Sequence, residues 1–182
     1  MNKIVLPIET SRLLLRNFER TDWQAVHVYA GDLEVIQYMD WGPNSEEQTK
    51  QFIDLAIKSS QFNPRMDFEL AIIHSDTNEL IGGIGIHISN PRHREGWMGY
   101  CLNRKYWGKG LATEAATSIL SFGFTQLGLH RIYATVFPGN TASANVLKKI
   151  GMRHEGHFRS HKLVRGNWRD SDQYAILDSD GG

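Results

Sequence analysis

The first part of the chain carries short apolar runs separated by polar breaks, a pattern that predicts a strand followed by helices. Residues 13–15 are three leucines, which indicates a short strand. After the polar break at residues 21 and 22, apolar residues recur at helical spacing. Ser45 and Gln48 have the spacing of a capping box, so a second helix is expected to begin there.

The middle of the chain predicts three consecutive strands. They cover residues 67–74, 80–88 and 95–102. Residues rich in Asn, Asp, Pro and charge separate them at 75–79 and 90–94. Links this short join neighbouring strands that run in opposite directions, so the segment is predicted to be an antiparallel meander.

The pattern changes after the third of these strands. A glycine-rich loop precedes a helix predicted over residues 113–127, and an apolar strand follows at 132–136. A strand-helix-strand crossover of this kind sets its two strands parallel in one sheet. A short helix over 142–149 and two strands around the turn at 165–167 complete the order. The chain therefore predicts the α+β class with a mixed, mostly antiparallel sheet.

Length and charge narrow the classes of protein. The chain has 182 residues and equal numbers of basic and acidic side chains, 20 of each. This length fits one domain, which we predict to span residues 1–178, with a flexible end at 179–182. Because the net charge is zero, no strong field attracts nucleic acid or anionic lipid, and neither is expected as a partner.

Two features bear on the compartment. Residues 1–7 lack the sustained apolar core of a secretory signal, and no segment approaches the roughly 20 apolar residues of a membrane span. The only cysteine, Cys101, has no partner for an intramolecular disulfide, and we interpret it as a small buried hydrophobic residue. A cytoplasmic protein is expected.

The loop before the longest predicted helix has the character of an anion site. It consists of Trp107, Gly108, Lys109, Gly110, Leu111 and Ala112, followed by Thr113. The two glycines let backbone N–H groups approach an anion closely, and the helix N-terminus adds the positive end of its dipole. Thr113 either adds a hydroxyl or caps the helix, and Lys109 either adds charge or projects into water. The loop suits a diphosphate, and a tight connection without a ligand is the alternative.

The spacing differs from two common nucleotide-binding loops. No second glycine lies four residues before a Gly-Lys-Ser/Thr, as nucleoside-triphosphate loops require. No Gly-x-Gly-x-x-Gly occurs early in a parallel sheet. General nucleotide binding is therefore disfavoured.

Residues 106–115 read Tyr-Trp-Gly-Lys-Gly-Leu-Ala-Thr-Glu-Ala, and this segment resembles the acetyl-CoA loop of the Gcn5-related N-acetyltransferases, the GNAT family. Trp107 replaces the Arg or Gln of the general pattern, and this wording is similar to that of the branch of ribosomal-protein (alanine/serine) N-terminal acetyltransferases. Residues 140–152 and 155–174 resemble two further motifs of the same branch. The resemblance covers nearly the whole chain.

The resemblance implies the GNAT fold, with helices on both faces of the sheet and acetyl-CoA as cosubstrate. In this family the fourth and fifth strands, counted from the strand at residues 13–15, splay apart, and the pantetheine arm enters between them. The implied backbone partners of that arm belong to Tyr100, Cys101 and Leu102. The amine then attacks the thioester directly while a backbone N–H polarises the developing oxyanion.

The reaction needs a base that makes the amine neutral and an acid that protonates the leaving thiolate. Many relatives use a tyrosine as the acid, but the matching position here is Leu147. Ser143 is the expected substitute, with a helix-cap hydroxyl as its alternative role, and Asn140 holds either the pantetheine amide or the turn. Glu95 is the candidate base and Glu69 is a second candidate, although either is also explained as a strand-edge charge.

Other polar and aromatic residues have simpler explanations. Asp170 orders the final hairpin, and Glu114 stabilises a helix dipole. We predict no metal, because on an extended strand His154 faces away from the histidines at 157 and 161, and no cysteine or carboxylate set completes a site. Four aromatic residues belong to the core or line the amine pocket: Trp23, Trp41, Phe62 and Trp168.

These observations predict an acetyl-CoA-dependent N-acetyltransferase that modifies a primary amine. The acceptor is a protein N-terminus or a small molecule such as a polyamine, an amino-acid derivative or an aminoglycoside. The alternative is a noncatalytic acyl-CoA-binding or sensing domain, which the missing tyrosine favours and the retained Ser143 disfavours. A homodimer is expected among proteins that resemble this one.

Overall fold

The computed structural model describes residues 4–181, which form one eight-stranded sheet and five α-helices. The strands are β1 (Ile8–Glu9), β2 (Leu13–Asn17), β3 (Asp67–His74), β4 (Glu79–Asn90), β5 (Glu95–Leu102), β6 (Arg131–Val136), β7 (Arg153–Val164) and β8 (Asn167–Leu177). The helices are α1 (Trp23–Ala30), α2 (Leu33–Ile36), α3 (Glu46–Ser60), α4 (Leu111–Thr125) and α5 (Thr141–Lys149). Short 3₁₀ turns lie at Arg20–Asp22, Arg104–Tyr106 and Asp178–Gly181.

The sheet has the strand order β1-β2-β3-β4-β5-β6-β8-β7. Every neighbouring pair is antiparallel except β5 and β6, which are parallel. This confirms the predicted α+β class and the mixed, mostly antiparallel sheet. Because β1 adds a strand before the leucine strand, the strands expected to splay, the fourth and fifth, are β5 and β6.

The ends of several elements differ from the prediction. Helix α4 begins at Leu111, two residues earlier than expected, because Gly110 adopts a left-handed φ of 77° and is itself the N-cap. Two elements, β1 and α2, were not predicted, since segments of two and four residues are too short to show a periodicity. The capping box of α3 is confirmed, with reciprocal hydrogen bonds of 2.8 and 3.2 Å between Ser45 and Gln48.

The two faces of the sheet bury separate cores. Helices α1 and α3 cover one face with side chains such as Val26 and Ile53, and α4 and α5 cover the other with Ile119 and Leu147. Gly123 of α4 sits directly on the sheet, since a Cβ there would lie 2.6 Å from the Cδ1 of Ile86. The amphipathic pattern of the sequence therefore becomes helices packed on both faces of one sheet, as expected.

The last described residues of the chain contact the final strands of the sheet. Asp180 accepts a hydrogen bond from the Leu177 amide at 3.0 Å and pairs with Arg153 at 3.0 Å. Residues 1–3 and 182 lie outside the described residues. The domain limits at residues 1–178 and the flexible end at 179–182 stay predictions. Within residues 4–181, no helix combines the length and apolarity required to span a membrane.

The segment before β2 is held against the start of α4 by one carboxylate. Glu114 accepts hydrogen bonds from the hydroxyls of Thr10 and Ser11 at 2.6 and 3.0 Å and from the Arg12 amide at 2.9 Å. The Arg12 guanidinium pairs with the same carboxylate at 2.6 Å and donates to the Lys109 carbonyl at 3.0 Å. The glycine loop is therefore anchored to the N-terminal segment, a role for Glu114 beyond the predicted dipole interaction.

Replacement of Glu114 by Gln should lower the free energy of unfolding by about 2 kcal/mol at pH 7, because several charge-assisted hydrogen bonds are lost. Burial alone raises the pKa of Glu114, but the bonds from Thr10, Arg12 and Ser11 outweigh it and lower the pKa from 4.5 to about 2. This stabilisation is complete above pH 4.5 and is lost as the pH falls towards 2.

Urea unfolding of both proteins across the acidic range tests the prediction, since the difference between them should shrink as the pH falls. Glu46→Gln is the matched control, because Glu46 is also a first-turn carboxylate and pairs only weakly with Lys50 at 3.6 Å. An equal loss of stability in both variants would contradict a specific role of Glu114.

Candidate active site

The two parallel strands β5 and β6 separate after three paired positions. The last pair is Trp97 with Tyr133, although β5 continues to Leu102 and β6 continues to Val136. The gap leaves the β6-facing edge of β5 without a strand partner, as the predicted splay requires. One backbone group in this part of β5 already has a hydrogen-bond partner, since the Leu102 carbonyl accepts a hydrogen bond from the Trp107 indole N–H at 2.9 Å.

The glycine loop lies beyond the end of β5 and leads into α4. Gly108 and Gly110 have left-handed φ values of 73° and 77°, which favour glycine. Among the described residues, no side chain accepts from the first amides of α4, those of residues 111–113. Free N–H groups at a helix N-terminus, together with the helix dipole, favour an anion.

The structure excludes one predicted alternative for this loop region. Thr113 does not cap α4, because the helix begins earlier and Thr113 is its third residue. Lys109 is exposed, and its ammonium lies 5.1 Å from the centre of the Tyr106 ring. The nearby Trp107 ring is 45% exposed at the edge of the loop.

The start of α5 lies on the other side of the gap. Asn140 is the N-cap, and its side chain accepts a hydrogen bond from the Ser143 amide at 3.1 Å, so Ser143 is not the cap residue. The Ser143 hydroxyl is therefore available, and it lies 3.0 Å from the Tyr100 hydroxyl. Leu147, which the family resemblance matches to the tyrosine of many relatives, is buried. It lines the cavity that opens at this gap.

The side chain of Tyr100 makes a contact that the sequence did not reveal, since the resemblance implied only a backbone role for Tyr100. Burial raises the pKa of Tyr100 to about 12, against a lowering by the hydrogen bond to Ser143. Tyr100 is therefore a neutral phenol at physiological pH. Two neighbouring hydroxyls span the gap between β5 and α5. Cys101 is buried as predicted, and burial raises its pKa to about 12.

A cavity of about 1200 Å³ opens at the splay. Its floor contains Gly85 of β4 opposite Gly99 of β5, and Glu69 of β3 is the third residue of this row. Neither glycine carries a Cβ. The Glu69 carboxylate and the His87 ring lie above Gly85, whereas a Cβ at Gly99 would meet only a Trp97 ring atom, at 3.7 Å, so the floor is open above Gly99. The aromatic lining consists of Tyr29, Tyr38, Trp41, Phe52, Trp97, Tyr100, Tyr133, Phe137 and Phe158.

Of the four aromatic residues named from the sequence, only Trp41 lines this cavity. Trp23 packs under the Lys50 ammonium, and Phe62 lines a smaller surface cavity. Trp168 is 64% exposed near the end of the last hairpin. The cavity aromatics come from helices α1 and α3, from the loop before α3, and from strands β5, β6 and β7 and the loop after β6. These elements meet only in the folded protein, which the sequence pattern does not reveal.

The β7–β8 hairpin closes one side of the cavity. Its turn residue Arg165 donates hydrogen bonds to the carbonyls of Ile36, Trp41 and Gly42 at 2.7 to 3.0 Å. Arg169 donates to a further carbonyl of the same loop at 3.0 Å. The hairpin and the loop between α2 and α3 thus form a connected roof.

The candidate bases have different partners. Glu95 pairs with Arg131 at 3.2 Å, at the first paired position of β5 and β6. Glu69 lies 3.0 Å from the Nε2 of His87. An arginine holds its proton at all relevant pH values, whereas a histidine exchanges one near neutrality.

The histidines of β7 differ from the prediction. His154 and His157 both reach Asp172, at 3.5 and 2.8 Å, because a bulge between 154 and 156 breaks the alternation of side chains. Asp170 also lies 3.1 Å from His157, so two carboxylates lie close to these histidines, contrary to the prediction that no carboxylate set is nearby. Asp170 accepts from the Ser160 amide at 2.7 Å and so orders the hairpin, as expected. Within residues 4–181 no cluster suited to a metal ion is found.

Comparison with known proteins identifies the family. The family model described as "Acetyltransferase (GNAT) domain" matches residues 12–153. An uncharacterized N-acetyltransferase of Bacillus subtilis, YnaD, is 41% identical over 95% of this chain and 98% of its own length. A GNAT-family acetyltransferase from Bacillus anthracis has a similar structure, with a TM-score of 0.84, 38% identity, and coverage of 96% of this chain and 99% of that one.

Two more distant Escherichia coli relatives have named acceptors. A spermidine N(1)-acetyltransferase is 27% identical over 90% of this chain and 84% of its own length. A [ribosomal protein uS5]-alanine N-acetyltransferase is 25% identical over 95% of this chain and 91% of its own length. Nothing in these comparisons supports the noncatalytic alternative. The splayed strands, the glycine loop at a helix N-terminus and the match over most of the chain lead to one conclusion: this chain belongs to the GNAT family and is an acetyl-CoA-dependent N-acetyltransferase.

Proposed function

We propose that the chain transfers the acetyl group of acetyl-CoA to a primary amine with a single positive charge, foremost the α-amine of a protein N-terminus. The observation that carries this choice is the charge balance of the cavity. Among the described residues, each carboxylate that lines it has a basic side chain within 3.2 Å: Asp40 with Lys162, Glu95 with Arg131, Asp170 with His157 and Glu69 with His87. When the His87 ring is neutral, the Glu69 carboxylate of this pair is left to balance a single positive charge.

A polyamine carries several positive charges and binds well only where carboxylates are unpaired. Arg169 also lines the cavity and adds a further positive charge. The aromatic lining suits an acceptor with an apolar body next to its amine. A small monoamine is the second acceptor class, and the cytoplasmic location and the homodimer stay predictions.

For the cofactor, we propose that the amides at the start of α4 bind the diphosphate, together with the loop residues Trp107, Gly108, Lys109 and Gly110. The backbone of Tyr100, Cys101 and Leu102 receives the pantetheine arm in the gap. Asn140 caps α5 and accepts a hydrogen bond from the Ser143 amide, and this supports a role of Asn140 in the site as the residue that positions Ser143. Ser143 then protonates the leaving thiolate, with the Tyr100 hydroxyl as its neighbour.

For the base, Glu95 and Glu69 are the proposed candidates, since both line the cavity. The pairing of Glu95 with Arg131 offers no route by which a proton leaves. The position of Glu69 at the open glycine floor and beside a histidine supports Glu69.

Replacement of Gly108 by Ala should raise the KM for acetyl-CoA about tenfold, which corresponds to ~1.4 kcal/mol of binding. A Cβ at this position meets no protein atom within 4 Å, so apart from the strain of a left-handed φ the added methyl group would oppose only the ligand. Gly128→Ala is the matched control, because Gly128 also has a positive φ and open space. Equal changes of KM in both variants would contradict the phosphate role of the loop.

Replacement of Ser143 by Ala should lower kcat about 100-fold, the usual range for loss of a general acid, with little change in the KM for acetyl-CoA. Steady-state thiol release measures both constants. Thr141→Ala is the control, since Thr141 lies at the start of the same helix. An unchanged kcat in Ser143→Ala would show that another group protonates the thiolate, and Tyr100→Phe would then identify it.

Thiol release with an alanine-starting peptide, an aromatic monoamine and spermidine tests the acceptor class. We expect kcat/KM for spermidine to be the lowest of the three. Lys162→Gln should raise kcat/KM for spermidine about fivefold, because it leaves Asp40 unpaired in the cavity. Lys50→Gln is the control, since its pair with Glu46 lies outside the cavity. Preference of the wild type for spermidine would contradict the proposed acceptor.

A further inference from the structure

Three side chains on one face of the sheet hold an imidazole between two carboxylates. His87 of β4 lies opposite Asp67 of β3 and opposite Trp97 of β5. Its Nδ1 is 2.8 Å from an Asp67 oxygen, and its Nε2 is 3.0 Å from an oxygen of Glu69. The ring stacks on Trp97, with 3.9 Å between ring centres and an angle of 15°. Both ring nitrogens therefore face carboxylates while the stack fixes the plane of the ring.

A glycine makes the contact between His87 and Glu69 accessible. A Cβ at Gly85 would lie 2.7 Å from the His87 Nε2 and 2.8 Å from the Glu69 Oε1. The two atoms thus meet in space that any other residue at position 85 would fill. Among the described residues, the buried Nε2 has no hydrogen bond of regular geometry, so its close approach to Glu69 is not fixed by one.

The same residues connect two cavities. Glu69 and His87 line the central cavity at the splay, and both also line a second cavity of about 370 Å³ at the surface. Asp67 lines only the second cavity, and its side chain is 51% exposed, against 11% for His87. The line from Glu69 through His87 to Asp67 therefore leads from the floor of the central cavity to solvent.

The position of this line matches the chemistry. Trp97, which stacks on His87, also forms the last pair before β5 and β6 separate. The next row on the same face is Glu69, Gly85 and Gly99. Because neighbouring strands lie about 4.8 Å apart, an amine above Gly99 is about one strand spacing from the Glu69 carboxylate above Gly85.

We propose that Glu69, His87 and Asp67 form a proton relay that carries the ammonium proton of the acceptor from the central cavity to solvent. The relay rests on the proposed acetyl transfer. Glu69 is the catalytic base, because it contacts the amine, and His87 and Asp67 are positioning residues that act through it.

Each step of the relay balances. The Glu69 carboxylate takes a proton from the ammonium, whose N–H electron pair remains on nitrogen. Glu69 passes this proton to the His87 Nε2 while the proton on Nδ1 moves to Asp67 and then to water, which leaves the ring with its proton on Nε2. The starting tautomer returns by exchange with water in the surface cavity that His87 lines, where Nδ1 gains one proton and Nε2 loses one. The neutral amine forms a bond to the thioester carbon, and the C–S bond breaks to give the thiolate. The nitrogen loses its second proton as the amide forms, and this proton balances the one that the thiolate takes from Ser143. Thus Glu69 is again a carboxylate after each turnover.

The same contacts would also be present if these three side chains only joined β3 to β4. The dependence of kcat on pH distinguishes that structural role from the relay. Burial lowers the pKa of His87, but the nearby Glu69 carboxylate and the Asp67 carboxylate at Nδ1 outweigh it and raise the pKa above 6.5. Other charged groups near the array are Lys58 of α3, Glu95 of β5, and Arg65, which donates to the Asp67 carbonyl. Below its pKa, His87 is protonated and accepts no proton from Glu69, so kcat falls at acidic pH.

The first experiment measures kcat for Glu69→Gln against pH, with a peptide α-amine whose pKa is about 8. We expect a loss of about 100-fold near neutral pH. The loss should shrink to less than about tenfold above the amine pKa, where the acceptor arrives neutral. Thermal stabilisation by acetyl-CoA should not change. A loss that is the same at every pH would overturn the relay.

The second experiment compares Asp67→Asn with Asp76→Asn, a carboxylate in the turn of the same hairpin. Removal of the Asp67 charge should move the acidic limb of kcat to lower pH, and Asp76→Asn should leave it in place. An unmoved limb in Asp67→Asn would contradict the relay while wild-type activity upholds the acetyl transfer. A wild type that releases no thiol with any amine would instead contradict the proposed function, and the relay with it.

Discussion

The loss of pairing between β5 and β6 is the constraint on which the site depends. A sheet normally satisfies the backbone groups of every interior strand, and unpaired groups in an interior are costly. Here the pairing stops after Trp97 and Tyr133, and the edge of β5 is left for another partner. The glycine loop beyond β5, the start of α5 across the gap and the open floor of the cavity all derive their positions from this point.

Much of this arrangement could be predicted from the sequence. The strand order, the crossover and the glycine loop depend on local patterns, and local patterns survive folding when neighbouring elements agree with them. The buried state of Cys101 followed in the same way. The start of α4 was misplaced by two residues, because a glycine in a left-handed conformation serves as the N-cap where a side-chain cap was expected.

What could not be predicted depends on register. Glu69 and His87 meet because Asp67 and His87 are paired across two strands and Gly85 leaves room between them. The contact of His154 with Asp172 arises from a bulge, which changes the face of every later side chain on the strand. Neither a register nor a bulge leaves a periodic signal in a single sequence.

The roof of the cavity has a consequence for how acceptor preference changes among related chains. Arg165 binds the loop between α2 and α3 through three backbone carbonyls, and Arg169 binds a fourth. A carbonyl is present whatever the side chain, so these four hydrogen bonds, unlike the ion pair of Asp40 with Lys162, do not depend on which residues the loop carries. The loop that contributes Tyr38, Asp40 and Trp41 to the cavity is thus free to vary in sequence while it remains fixed in position. Selection for a new acceptor amine can therefore change the side chains of this loop without changing the position of its backbone.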